Sequence, residues 1–280
     1  MQSVGKGGVN EVADVKVVQR RLNNYLLSVI LTPDTLKVDG YYGPATARAI
    51  RTLQSTQMVE VSELLKPDDS CSLLLAESYS QYVSHPNLPK PVLNINRLSD
   101  LDYNDASKIL KCEEATIRAV VEVESNGGGF LASHRPKILF EAHQFSKLTD
   151  HQYDTRYPNI SSLKWNKSLY YGGEEEYNRL FIAMSLNSDA ALKAASWGLF
   201  QIMGFNCLLC GYSSVANMVT AMYISEGYQL RAFILFLKST KLDQYLINKD
   251  FSRFAAGYNG PGYKNNNYDD RLWAAYDRYA

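Results

Sequence analysis

The sequence predicts an all-α protein in two parts, a small three-helix domain and a larger helical one. Three observations carry this. Apolar residues recur at helical spacing along most of the chain. Three prolines, Pro86, Pro89 and Pro91, fall within six residues and interrupt that pattern once. At 280 residues the chain is long enough to build two hydrophobic cores. The division expected is residues 1–84, a proline-rich linker at 85–97, and a second domain at 98–280.

The first helix is expected over residues 14–28, "DVKVVQRRLNNYLLS". Val15, Val18, Leu22, Tyr25 and Leu26 share one face, with Arg20, Arg21 and Asn24 opposite. Asp39-Gly40 and Gly43-Pro44 are turn signals, and Pro44 suits the first turn of a second helix whose apolar stripe is Ala47, Ile50 and Leu53. A third apolar segment lies near residues 73–82. After the prolines, the helical pattern runs from Asn104 to Glu124, and Ser125-Asn126-Gly127-Gly128-Gly129 ends it. The long segment 213–239, "SSVANMVTAMYISEGYQLRAFILFLKS", is apolar on one side and is expected to supply buried helices.

Composition excludes several classes. Lys plus Arg and Asp plus Glu balance at 29 each. Residues 1–84 carry 8 basic and 9 acidic groups, leaving 21 and 20 for the rest, so no basic face for nucleic acid is expected. No apolar run approaches about 18 residues, so no membrane span is expected. The opening "MQSVGKGGVNEVADV" lacks a charged start followed by an apolar run, so no signal peptide is expected, and synthesis in a cytoplasm follows. Tyrosine is abundant at 20 residues and can both stack on sugar rings and hydrogen-bond to them. Of the four cysteines, Cys207 and Cys210 have zinc-ligand spacing but no second ligand pair follows, so reduced thiols are the expectation.

One position stands out chemically. Ile117, Val120, Val121 and Glu124 fall at i, i+3, i+4 and i+7, so Glu124 faces inward, whereas Glu122 points elsewhere. Burial and the negative end of the helix dipole should both raise its pKa. A glutamate still protonated near neutral pH is what glycosidic cleavage needs in order to protonate the leaving oxygen. The structural alternative is a core-edge carboxylate paired with Arg118 or Arg135. His134, His143 and His151 near Glu141 raise a metal-site alternative, but the spacing is not H-E-x-x-H or another tight zinc pattern. Glu174, Glu175 and Glu176 suit a helix first turn and are given no chemistry.

Two resemblances extend this reading. "DVKVVQRRLN" followed by "VDGYYGPATARAIRTLQ" resembles the peptidoglycan-binding domain of cell-wall hydrolases. By that resemblance Asp39, Tyr41, Tyr42 and Thr46 border a groove for the wall polymer, against the plain-turn reading of Asp39-Gly40. Residues 98–280, with "EVES", "RPKILFEAHQFSKLT", "YYGG", "AASWGLFQIMGFN" and "AGYNGPGY", are similar to the N-acetylmuramidase domain of modular phage endolysins, in the lysozyme superfamily. The resemblance implies a lysozyme-like fold with Glu124 as catalytic acid and Glu141 as a second acidic cleft residue of open role. Gln201 and Tyr258 would hold saccharide and shape the surroundings of the acid, Asn259 would fix its loop, and Ser125 would hold the end of the Glu124 helix. The chain departs from the pattern at Cys207 and Cys210 and in the polar loop "KNNNYDD". The resemblance implies cleavage of the β-1,4 bond between N-acetylmuramic acid and N-acetylglucosamine by a monomer acting on peptidoglycan in the periplasm or wall, with no metal and no cofactor. A lytic transglycosylase leaving 1,6-anhydro ends, a delivered antibacterial effector and a non-catalytic wall-binding protein are the alternatives.

Overall fold

The computed structural model describes residues 1–29, 36–81, 88–92, 95–125, 127–260 and 267–280, and among these the side chains of Asn24, 27–29 and 76–81 are also left aside. Asn126, Tyr82, Pro86 and residues 264–266 of the polar loop therefore lie outside the described residues. The fold is helical, with five strands of two or three residues among the described residues. Two compact units are present, and they interleave along the sequence. The first comprises Met1–Asn87, Phe140–Tyr171 and Glu175–Ala191, and the second Leu88–Leu139, Gly172–Glu174 and Leu192–Ala280.

In the first unit, helix Val12–Val29 buries Val15, Val18, Leu22, Tyr25 and Leu26, as its periodicity requires. Helix Pro44–Thr56 starts with Pro44 in its first turn, where the missing N–H costs nothing. Its buried stripe is Thr46, Ala49, Ile50, Leu53 and Gln54, so Ala47 is displaced from the core face expected of it. Ile50 and Leu53 are buried as expected, and polar Thr46 and Gln54 complete the face that apolar spacing alone did not reveal. Helix Ser70–Gln81 contributes Cys71 and Leu75, and strand Val4–Gly5 pairs antiparallel with Leu64–Leu65. The same unit takes in helices Ala142–Leu148 and Glu176–Leu186. Asn159 donates to the Leu36 carbonyl, Arg20 pairs with Glu175, and the Arg20 guanidinium lies 4.4 Å from the Tyr171 ring.

Glu176 and Arg179 form a fully buried pair at 3.0 Å. Glu176 also accepts the Phe140 and Tyr171 amides, and Arg179 donates to the Phe140 and Asn159 carbonyls. The glutamate run does lead into a helix, with Glu175 at the N-cap and Glu176 in the first turn, but its carboxylates also bind arginines. Glu174 caps Ser133 and pairs with Arg135 in the second unit, while Glu175 and Glu176 hold the first together.

In the second unit the expected continuous helix is broken. Asp100–Leu110 ends at Lys111 in the left-handed region, and a new helix runs Glu114–Ser125. Helix Tyr268–Tyr279 packs along Glu114–Ser125, where Arg278 and the Tyr279 hydroxyl meet Glu122. Helices Val215–Met222 and Glu226–Thr240 are buried on one side, as expected. A three-stranded sheet orders Ile138–Phe140, Ala195–Trp197 and Ile202–Met203. The end of the proline-rich segment is fixed rather than loose. Asn96 bridges Ser225, and Arg97 pairs with Glu226 at 2.7 Å.

Candidate active site

Glu124 occupies the last turn of helix Glu114–Ser125, one turn beyond buried Val120 and Val121. It lines a cavity of about 180 Å³ with Phe200, Gln201, Met203, Phe236, Tyr258 and Asn259. Its Oε1 is enclosed and has no hydrogen-bond partner among the described residues. Burial pushes its pKa up to about 7, with Asn259 and the Arg271 charge pulling the other way. Neither Arg118 nor Arg135 provides the counter-charge considered from sequence. Arg118 is engaged by Asp100 and Glu114, and Arg135 by Glu174. Arg271 instead reaches this helix end, donating to the Val123 carbonyl at 3.3 Å.

The walls of the cavity follow from two local structures. In "SWGLFQIM" the chain reverses between Ala195–Trp197 and Ile202–Met203, with Gly198 at φ +71 and Gln201 at φ +48. The Gln201 side chain is tied into this hairpin. Its Oε1 accepts from Ser196 Oγ at 2.9 Å and its Nε2 donates to the Gly198 carbonyl at 2.8 Å. Tyr258 ends helix Phe251–Asn259, and its hydroxyl donates to the Phe200 carbonyl at 2.8 Å. Its ring stacks on Phe254 at 5.6 Å and meets Phe233 and Phe236 edge-on. Burial and the nearby Glu124 charge hold the Tyr258 phenol well above its ordinary pKa. Gln201 and Tyr258 thus have their polar atoms committed to main chain or hairpin and serve as walls. Asn259 lies beside the Glu124 carboxyl, and the loop it is expected to fix falls, at residues 261–266, outside the described residues. The Ser125 carbonyl accepts the Gly128 amide at 3.0 Å, closing the helix end.

Glu141 lies in the first unit, at the start of helix Ala142–Leu148, and its side chain caps no amide there. Its Oε2 accepts the Tyr170 hydroxyl at 2.7 Å and lies 3.2 Å from His143 Nδ1. The other two histidines are elsewhere engaged, His134 with the Val92 carbonyl and His151 with Ser146 and Asp154. Among the described residues no cluster of three or more His, Cys, Asp or Glu side chains could hold a metal ion. Cys207 and Cys210 are free and buried, and burial raises the Cys210 thiol to about 12.

The N-acetylmuramidase family matches residues 113–280, more than half of the chain. The chain belongs to the N-acetylmuramidase family. It is a glycoside hydrolase acting on peptidoglycan. A peptidoglycan-binding domain matches residues 11–62. The crystal structure of the Burkholderia AP3 phage endolysin is similar over 95% of each chain, at 34% identity and a TM-score of 0.62. A search of curated proteins returns no significant match.

In the wall-binding module of this muramidase, the Asp39-Gly40 turn is built around buried Gln19. Gln19 Nε2 donates to Asp39 Oδ1, the Tyr41 carbonyl and Thr46 Oγ1, while its Oε1 accepts the Gly40 amide at 2.9 Å. Gly40 sits at φ +80, and a Cβ there would meet Val12 at 2.7 Å. Thr46 is only 2% exposed, so it belongs to this scaffold and not to a groove surface. Tyr42 is part-buried against the core, whereas Tyr41 is exposed.

Two residues that hold the segments flanking the Glu124 cavity are not singled out from sequence. Glu226, 4% exposed, accepts from Arg97, from the Leu98 amide and from the Gly129 amide at 2.8 Å. Gln229 accepts the Leu199 amide at 2.7 Å and lies so close to Gly129 and Gly198 that a Cβ at either would strike it. Together they fasten the turn after Glu124 to the Gly198 hairpin. The available signal was two polar residues, three apart, on the buried face of an otherwise apolar helix.

Proposed function

We propose that Glu124 is the general acid of this muramidase and that the chain is a phage endolysin cleaving between N-acetylmuramic acid and N-acetylglucosamine. The observation that carries the assignment is the enclosed, unpartnered Glu124 Oε1 in a cavity walled by Phe200, Phe236 and Tyr258. Burial costs an ionised carboxylate there more hydration than the Asn259 side chain and the Arg271 charge restore, so the neutral acid is favoured up to about pH 7. The Glu124 proton passes to the bridging oxygen as the bond from that oxygen to the sugar C1 breaks. Positive charge develops at C1, water adds there, and a proton returns to Glu124 through solvent. No step is assigned to Glu141, whose acceptor oxygen is taken by Tyr170.

The family match supports hydrolysis over the transglycosylase route, and the similarity to a phage endolysin supports that setting over a delivered effector. The chain acts as a monomer that is made in the host cytoplasm and works on peptidoglycan in the periplasm or wall. The wall-binding module raises the local substrate concentration, with Tyr41 at its exposed contact face. Digestion of purified peptidoglycan by wild type and Glu124→Gln, with products read by mass spectrometry, tests the proposal. Reducing muramic acid ends from wild type alone are expected. Equal cleavage by the variant would refute the acid assignment, and 1,6-anhydro ends would change the reaction.

A further inference from the structure

The three tryptophans are used differently. Trp197 is 1% exposed and anchors its hairpin through the Leu192 carbonyl. Trp273 packs edge-on against Phe251 at 4.7 Å and Tyr276 at 5.8 Å. Trp165 is 59% exposed, and among the described residues the one ring against it is Tyr170, edge-on at 6.4 Å. Yet Trp165 is held in place. Its indole N–H donates to the Tyr170 hydroxyl at 2.7 Å, and that hydroxyl donates to Glu141 Oε2 at 2.7 Å. The following turn, Lys167–Leu169, is fixed by Asn166, whose Oδ1 accepts the Ser168 amide and hydroxyl at 3.0 and 2.8 Å. The chain thus orients an aromatic face through a hydrogen-bond relay ending on a carboxylate, and leaves that face open to solvent.

We propose that Trp165 and Tyr170 form a saccharide-binding subsite for the glycan strand of peptidoglycan, with Glu141 as the residue that positions them. A pyranose presents an apolar C–H face that fits an indole, and hydroxyls at its edge that fit a phenol oxygen. The Tyr170 oxygen accepts from Trp165 and donates to Glu141, which leaves one lone pair for a sugar hydroxyl. The apolar surface here is one indole face with exposed Leu163 beside it in sequence, enough for a sugar ring and far short of a stable protein interface. Pre-orientation removes the entropy of fixing the ring when the sugar arrives. The assignment gives Glu141 a function that needs no part in bond cleavage. It rests on the reading of this chain as a muramidase whose acid is Glu124.

The test uses the full chain carrying Glu124→Gln, so that the ligand survives, and a soluble tetrasaccharide of alternating N-acetylglucosamine and N-acetylmuramic acid. Calorimetry should show about tenfold weaker binding when Trp165→Ala is added, and a loss of about threefold or less with Trp165→Phe. Bound tetrasaccharide should also shield Trp165 from iodide quenching, the signal being isolated by subtracting the Trp165→Phe protein. Unchanged affinity in the alanine variant with unshielded Trp165 overturns the proposal. So does unchanged affinity with loss of self-association in the alanine variant, which would assign the face to a second copy. Should the alanine variant misfold by circular dichroism, the quenching measurement on the native ring decides. The two readings fail separately. Cleavage by wild type without Trp165-dependent binding removes the subsite alone, whereas Trp165-dependent binding with full cleavage by Glu124→Gln removes the acid alone.

Discussion

Glu124 and Glu141 are both glutamates at helix ends, yet the two units treat them oppositely. Around Glu124 aromatic rings wall the cavity and nothing among the described residues donates to the enclosed Oε1, so burial keeps the carboxyl protonated to about pH 7. Around Glu141 a tyrosine hydroxyl donates to Oε2 and a histidine nitrogen lies 3.2 Å from the same oxygen, so that carboxyl has the partners that Glu124 Oε1 lacks. Glu176, in the same unit as Glu141, carries this further, with two amides and an arginine on a carboxylate fully out of solvent. What separates an acid from a strut is the supply of donors, and the residue type is silent on that.

The comparison is broken most sharply by activity. Glu124→Gln should lower kcat/KM by about a thousandfold with the fold retained, the usual size of a lost general acid. Glu141→Gln, which can still accept from Tyr170, should cost about tenfold or less. Equal losses in parallel turbidity assays would abolish the distinction. Next in size is a stability effect. Glu176→Ala strands the buried Arg179 guanidinium and should destabilise the protein by roughly 3 kcal/mol in denaturant unfolding. A loss under about 1 kcal/mol would mean that the pair is dispensable.

Two pH experiments sharpen the Glu124 side. Because its folded pKa, about 7, exceeds the ordinary 4.5, ionising it costs the fold. That cost is absent below pH 4.5, grows through the window to pH 7, and is complete above it. Glu124→Gln should therefore be more stable than wild type at pH 8, by on the order of 1–3 kcal/mol. The difference should vanish near pH 4, and unfolding curves at both pH values would read it. With Glu124 in the proposed role of general acid, activity has the same sign, so kcat/KM should fall as pH rises through about 7. The smallest effect expected is in Arg271→Ala. Removing a nearby positive charge raises the Glu124 pKa, so the alkaline limb should move to higher pH. A limb that stays in place would take Arg271 out of the site.

Much of this was legible in one dimension because it depends on local periodicity. The stripe Ile117, Val120, Val121, Glu124 turns the acid inward whatever surrounds it. The Asp-Gly and Gly-Pro signals set the turn before helix Pro44–Thr56 by backbone sterics alone. Where the reading slipped, the reason was a polar group with a distant partner. Thr46 belongs to the scaffold because Gln19, 27 residues earlier, reaches it. The run Glu174–Glu176 reads correctly as leading into a helix first turn, but its arginine partners were not legible because Arg135 and Arg20 lie far from it in sequence.

The sequence by itself determined the helical class, the wall-binding and muramidase signatures, and the inward aim of Glu124, since helix sterics and motif spacing need no long-range contact. Only the tertiary structure decided which carboxyl oxygen is enclosed without a donor and that Arg271 rather than Arg118 or Arg135 is the charge near Glu124. It also decided that Glu226 and Gln229 hold the turn beside the acid, and that the 140–171 and 175–191 segments share a unit with the first 87 residues. Those outcomes depend on hydrogen bonds and desolvation between groups far apart in the chain, which linear spacing cannot express.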